Sequence, residues 1–277
     1  MTVQADPAYV FDRSGDENQR LSRQAALMEP VTERLFRDAG NVPGMRILDV
    51  GSGVGDVALL AARMVGPTGS VVGVDLDGSA LRIARDRAAA AGLDNVTFVE
   101  GDVRSVQTPA GFDAAVGRLV LLYLGEPAEA LRAIAECVRP GGVVAFQELD
   151  LDPEVRSRSL PDGTVWDRIG SLVIETFARS GAHHRMGRQL RGCYLAAGLP
   201  APALRDEAFV GGGPDFAAYG WLAGVACGLQ PLMVKLGVAP VVPFDRELLE
   251  QRIRDDAVAR DAVVWGPALV GAHARRP

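Results

Sequence analysis

The stretch LDVGSGVGD, Leu48 to Asp56, decides how the rest of the chain is read. It continues the apolar run MRILDV at 45–50, whose composition is that of a buried strand. It then places Gly51, Gly53 and Gly55 in a turn that opens a helix over residues 56–65. Glycines there remove the Cβ atoms that would keep a ligand off the backbone, and the first helical turn aims unpaired N–H donors at that ligand. Strand, glycine turn and helix open a nucleotide-binding α/β unit, but the turn alone serves several cofactors.

Working outward, SVVGVDLD at 70–77 is a second strand ending in Asp75, where a carboxylate can accept hydrogen bonds from ribose hydroxyls. Asp77 precedes GSALRIAR and is expected to cap the helix over 79–91, which Gly92 ends. VTFVEGDVRSV at 96–106 is a third strand, followed by Asp102, placed to accept from an adenine amine, and Val103, whose backbone would meet the ring. FDAAVGRLVLLYL at 112–124 is a fourth, leaving Gly117, Arg118 and Leu119 at its exit. Pro127 to Val138 then reads as a helix with proline in its first turn, RPGG as its stop and VVAFQEL as a fifth strand. Such alternation predicts a parallel sheet with helices on both faces and right-handed crossovers.

Ahead of this unit, Leu21, Ala25, Met28, Val31, Leu35 and Ala39 fall at helical spacing, with Pro30 dividing them into two helices or kinking one. Beyond it, helices are expected at 164–180, 187–197, 216–236 and 246–260, and strands at 203–211 and over the closing AVVWGPALVGAHAR. The net charge of −6 repels a phosphate backbone, so nucleic acid is not an expected partner. Cys137, Cys193 and Cys227 are widely spaced without a CxxC pair, which suggests neither a disulfide framework nor a zinc site and fits a reducing cytoplasm. The N-terminus lacks the basic-then-apolar order of a signal peptide. No apolar run reaches the roughly 18 residues of a membrane span, so no membrane role is expected. Asp150 with Asp152 is too thin a pair to predict a metal.

A glycine turn, an acid, a second acid and Gly-Arg at four successive strand ends form a specific constellation. From about residue 45 to 150 the chain resembles a class I S-adenosylmethionine-dependent methyltransferase. The lead YVFDRSGDENQRLSRQAALMEP at 9–30 resembles that of small-molecule methyltransferases related to the ubiquinone and menaquinone enzymes, and the ending resembles the last strand of the same sheet. The resemblance implies an α/β, Rossmann-like, seven-stranded, mostly parallel sheet. It implies a helical lid at 1–40 and a methyltransferase domain at 41–277, with helical cover insertions at about 153–200 and 214–260. By the same resemblance S-adenosyl-L-methionine is the cofactor. Gly51, Gly53 and Gly55 hold its methionine part, Asp75 its ribose and Asp102 with Val103 its adenine. Asp49, Ser52, Leu76, Arg118 and Leu119 are in contact, and Tyr9 and Gln24 reach in from the lead. The expected partner is a small, hydrophobic methyl acceptor, and a homodimer is a further expectation. GRLV at 117–120, where an NPPY-like tetrapeptide would stand, argues against amino-directed nucleic-acid methylation.

The acceptor side is less marked. His183 and His184, between two expected helices, are the candidate general bases because histidine titrates near neutrality. Gln147, Glu148 and Asp150 leave the fifth strand at the sheet edge where ligands collect. Trp166, Phe177, Phe216, Tyr219, Trp221, Leu222 and Met233 could form an apolar pocket, although aromatic and Met positions at helical spacing are more often plain core. Two other readings stay open: a nicotinamide-dependent oxidoreductase, which would want GxGxxG and leaves Asp102 without a task, and an S-adenosylmethionine-binding protein with a non-methylating reaction.

Overall fold

The computed structural model describes residues 15–40, 42–105, 111–152, 158–239 and 241–277. In chain order it contains α1 (Gly15–Ala39), β1 (Arg46–Val50), α2 (Asp56–Val65), β2 (Ser70–Asp75), α3 (Gly78–Ala90), β3 (Val96–Glu100) and β4 (Phe112–Arg118). A 3₁₀ turn (Leu121–Tyr123), α4 (Pro127–Cys137), β5 (Val138–Asp150), β6 (Ser159–Leu160), α5 (Val165–Ser180) and α6 (Met186–Ala196) follow. The chain ends with β7 (Ala203–Glu207), β8 (Val210–Gly211), α7 (Ala218–Lys235), α8 (Arg246–Ala259), β9 (Val263–Trp265) and β10 (Ala268–Arg275).

The apolar run at 46–50 becomes a central strand of a seven-stranded sheet ordered β3-β2-β1-β4-β5-β10-β7. Strands β1 to β5 pair in parallel, and β10 runs antiparallel to both β5 and β7. Helices cover both faces, so β1 is apolar on both. Ile47 joins a cluster with Leu35, Phe36, Leu60, Val71 and Leu81, while Leu48 and Val50 join a larger one with Phe146, Trp166, Tyr194, Tyr219 and Leu229. Strand order reverses between β1 and β4, which opens a crevice at their carboxyl ends.

The seven-stranded, mostly parallel sheet with helices on both faces is the architecture expected. The lead is a single helix, α1, with Pro30 inside it, one of the two arrangements expected. Three local departures have physical reasons. RPGG does not end the fourth crossover helix in a turn, because β5 starts at Val138 and carries those residues across a register shift against β4. The stretch 203–211 splits into β7 and β8, and the closing run splits at Gly266 and Pro267 into β9 and β10. A Cβ at Gly266 would overlap the Phe209 ring, so the chain turns there where only glycine fits. The fragments β6, β9 and β8 form a small antiparallel sheet that was not expected, since two- and three-residue strands carry no readable alternation. Thr164 proves to be the cap of α5: it accepts from the amide of Asp167, whose carboxylate accepts from the Thr164 amide.

Candidate functional site

The crevice is built from the backbone upward. Gly51, Gly53 and Gly55 all have positive φ (66°, 52° and 89°), yet each meets a different demand. A Cβ on Gly51 would lie 2.5 Å from Val120 Cγ2, so glycine lets the turn after β1 press against the loop after β4. A Cβ on Gly55 would lie 2.9 Å from Ala84 Cβ, so glycine lets α2 start against α3. Gly53 has nothing within 4 Å, and its missing side chain leaves open space above the turn.

Asp75 ties this turn to the end of β2. Its Oδ2 accepts from the Gly53 amide at 2.8 Å and its Oδ1 from the Asp77 amide at 2.8 Å, which fixes the carboxylate at the mouth of the turn. Asp77 caps α3, accepting from the amides of Ser79 (2.9 Å) and Ala80 (3.3 Å). Beneath the turn Asp49 is fully buried. Ser52 Oγ donates to its Oδ2 at 2.8 Å, Oδ1 has no partner among the described residues, and burial pushes the carboxyl up to about 7.

At the end of β3 the carboxylate of Asp102 is gripped by Arg104, whose Nε donates to both oxygens (2.9 and 3.0 Å) and whose backbone amide donates to Oδ1 (2.9 Å). That side-chain grip holds the Asp102 carboxyl below the usual carboxylate range. At the end of β4 Arg118 is buried, with Nη1 donating to Thr32 Oγ1 of α1 at 3.1 Å and Nη2 4.0 Å from Asp56 Oδ2. Burial lowers its pKa, and the neighbouring carboxylates of Asp56 and Asp49 work against that.

Leu119, next in the chain, is a non-glycine residue at φ 59°, a conformation that costs energy and needs support. The support comes from β5: the Leu119 amide donates to Gln147 O at 2.9 Å, and Glu148 Oε1 accepts from the amides of Val120 (3.0 Å) and Leu121 (2.8 Å). Glu148 is fully buried, which pushes its carboxyl up to about 8, while these backbone donors pull the other way.

Together these elements enclose a cavity of about 320 Å³. Gly51, Ser52, Gly53, Asp75 and Leu76 line it, as do Asp102, Val103, Arg118, Leu119 and Gln24. The opposite wall is apolar, formed by Leu122, Leu151, Val173, Phe177, Trp221 and Val225. Gln24, on α1, spans the two sides: it lines the cavity and its Oε1 accepts from Trp221 Nε1 at 3.4 Å.

Other expected residues sit elsewhere. Asp49 and Gly55 lie under the floor and do not line the cavity. Tyr9 lies outside the described residues. Gln147 and Glu148 are buried and turned to α1 and to the β4 exit loop, so they shape the wall from behind and do not line it. His183 and His184 do not line the cavity either: the His183 amide donates to Leu122 O at 2.8 Å, which places this segment behind the apolar wall, and burial lowers the His184 pKa. Phe216 and Tyr219 pack edge to face with each other, and with Met233 they belong to the core. Arg104 and Asp56 line the cavity without having been singled out, and the Asp-x-Arg spacing of 102–104 was the available signal for the first. Among the described residues there is no group of three or more potential metal ligands, and Asp150 and Asp152 are both engaged by Arg188.

The chain is 33% identical over 208 residues to nocamycin O-methyltransferase of Saccharothrix syringae, a match covering 73% of this chain and 69% of that protein. It belongs to the class I S-adenosylmethionine-dependent methyltransferases. The model of a methyltransferase domain matches residues 41–173 of this methyltransferase, from the strand before the glycine turn into α5. The ubiquinone/menaquinone biosynthesis C-methyltransferase UbiE of Pseudomonas fluorescens (strain SBW25) is 36% identical over 101 residues, 36% of this chain and 40% of that protein. A geranyl diphosphate methyltransferase solved with SAM shares the fold at a TM-score of 0.56, with 15% identity over 100% of this chain and 98% of the other. Membership decides between the readings of the glycine turn. The cofactor of this methyltransferase is S-adenosylmethionine, and its acceptor is a small molecule. No helix among the described residues is long and apolar enough to cross a membrane.

Proposed function

We propose that the polar end of the 320 Å³ cavity holds S-adenosylmethionine and that its apolar end receives the reacting part of a small, hydrophobic acceptor. The observation that carries this reading is the change of polarity along one cavity, from carboxylates and glycine backbone at the sheet edge to Leu122, Leu151, Val173, Phe177 and Trp221 beneath the cover. The residues present fit the cofactor. Gly53 leaves the space a Cβ would fill, Asp75 presents to the cavity a carboxylate of the kind that accepts from ribose hydroxyls, and Asp102 and Val103 line the stretch expected to meet adenine. Arg118 offers a buried cation at the methionine end.

When bound, the cofactor supplies a methyl group already activated by its sulfonium, so the protein's task is to position the acceptor and exclude water. The apolar wall performs the exclusion, and Gln24 with Trp221 ties α1 to that wall, which supports the reading of residues 1–40 as a lid and of the later helices as a cover. His183 and His184 do not line the apolar end, which supports an acceptor that is nucleophilic on its own account. The names of the relatives, one an O-methyltransferase and one a C-methyltransferase, support oxygen or carbon as the receiving atom. The wide spacing of Cys137, Cys193 and Cys227, without a CxxC pair, supports a cytoplasmic location.

The test is incubation of the protein with isotopically labelled S-adenosylmethionine and a metabolite panel, followed by mass spectrometry. Label is expected in apolar, enolic or phenolic small molecules. Label confined to polar amines or to macromolecules would overturn the assignment of the apolar end.

A further inference from the structure

Next to the first cavity lies a second, of about 570 Å³, and the two meet at Leu151, Val173, Trp221 and Pro267, which line both. All three tryptophans of the chain, Trp166, Trp221 and Trp265, line it, which gives it broad flat faces for an apolar molecule. Its charged groups are not equivalent. Asp150 accepts from the Arg188 amide (2.9 Å) and from its Nε (2.9 Å), while Asp152 pairs with Arg188 Nη1 (2.6 Å) and Arg185 Nη2 (3.5 Å), so these acids are already neutralised. Asp206 is exposed on the edge strand β7.

Arg158 differs from all of these. Its Nη1 is buried without a hydrogen-bond partner among the described residues, and no described carboxylate forms an ion pair with it. Asp167 is the acid that acts on it electrostatically: its Oδ2 is taken by Ser159 Oγ and the Thr164 amide, and its buried Oδ1 makes no hydrogen bond among the described residues, to Arg158 or to any other group. Burial is the main influence on the guanidinium and lowers its pKa. A buried, unmet donor of this kind is costly unless something arrives to accept from it.

The guanidinium is also seated by design of the backbone. Arg158 O accepts from the Trp265 amide at 2.7 Å, and Trp265 O accepts from Trp166 Nε1 at 3.1 Å, so the small sheet and the tryptophan wall fix the residue's base. Its tip lies against Gly170 of α5, where a Cβ would stand 2.7 Å from Nη1. Glycine inside a helix costs stability, and here its absence of a side chain is what makes room for the cation.

We propose that the second cavity holds the distal part of the methyl acceptor, and that Arg158 recognises an anionic oxygen group, a carboxylate or enolate, carried on that part. The inference rests on the reading of the first cavity as the place of cofactor and reacting atom. The acceptor is then an apolar, flat molecule with an acidic group away from the methylated position.

Isothermal titration of the full chain loaded with S-adenosylhomocysteine, using 2-naphthoate and the neutral 2-naphthamide as probes, tests it. The carboxylate is expected to bind roughly tenfold more tightly than the amide and to alter tryptophan emission. Arg158→Met and Gly170→Ala should each remove that preference while leaving S-adenosylhomocysteine affinity unchanged. Gly170→Ala is the second route because it favours the helix and moves only the guanidinium. Equal affinities for the two probes, no binding of naphthoate at millimolar concentration, unaltered emission, or a preference that survives Arg158→Met would overturn the inference and leave the cofactor site standing. Failure of S-adenosylhomocysteine itself to bind would instead take down the reading of the first cavity and this inference with it.

Discussion

The sheet edge and the cover meet in one cavity but are specified in opposite ways. At the edge, the bonds that seat the two carboxylates are mostly short in sequence: Asp75 to the Asp77 amide spans two positions and Asp102 to Arg104 spans two, while Asp75 to the Gly53 amide spans 22. In the cover they are long: Trp221 reaches Gln24 across 197 positions and Trp166 reaches Trp265 across 99. A cofactor shared by a family is gripped by backbone geometry that local residues dictate, whereas an acceptor peculiar to one enzyme is shaped by packing between distant helices.

Removing Asp75 is the strongest way to challenge the edge. Asp75→Ala deletes the acceptor for two amides and, by the proposal above, for the ribose. Hydrogen bonds to a charged acceptor contribute about 1.5–3 kcal/mol each, so cofactor affinity should fall roughly 100-fold. Isothermal titration with S-adenosylhomocysteine measures this, and unchanged affinity would show that the edge does not hold the ribose through this residue.

The same contrast explains what was legible before the structure. Gly51, Asp75, Asp77 and Asp102 announce their positions because glycine adopts a positive φ without strain and a short acid suits a strand end or a helix cap. The parallel sheet was readable from its alternating pattern for a similar reason. The small sheet of β6, β9 and β8 was not, because strands of two or three residues have no period to read. Nor could sequence separate Trp221, which lines the cavity, from Tyr219, which packs in the core: both are aromatic residues on α7, and tertiary packing alone decides which way each faces.

Glu148 stands between the two regions, since it holds from behind the loop that carries Leu119 to Leu122. Its folded-state pKa, raised by burial to about 8, lies above the ordinary carboxyl value, so the folded protein keeps a proton that the unfolded chain gives up near pH 4 to 5. Stability from this group is therefore full below that range and is lost as pH rises towards 8, by an amount on the order of a few kcal/mol. Asp49, raised to about 7, adds to the same slope. Glu148→Gln retains a carbonyl oxygen for the Val120 and Leu121 amides but cannot ionise. Its melting temperature should fall less between pH 5 and 8 than that of the parent chain. Thermal unfolding across that range measures it, and an identical slope in both proteins would mean the carboxyl does not titrate in the fold.

The smallest expected effect sharpens the comparison most on the cover side. If the apolar wall works by position and exclusion, His183→Ala and His184→Ala should leave kcat for a labelled acceptor within about threefold, against the 10²–10⁴-fold that a general base contributes. The bond that matters at His183 is made by its backbone amide to Leu122 O, and alanine keeps it, so the wall should survive the substitution. A fall of roughly 100-fold in kcat with KM unchanged would place an imidazole at the reacting atom. The cover would then have to open so that this segment reaches the cavity it now lies behind, and chemistry would belong to the region assigned here to shape.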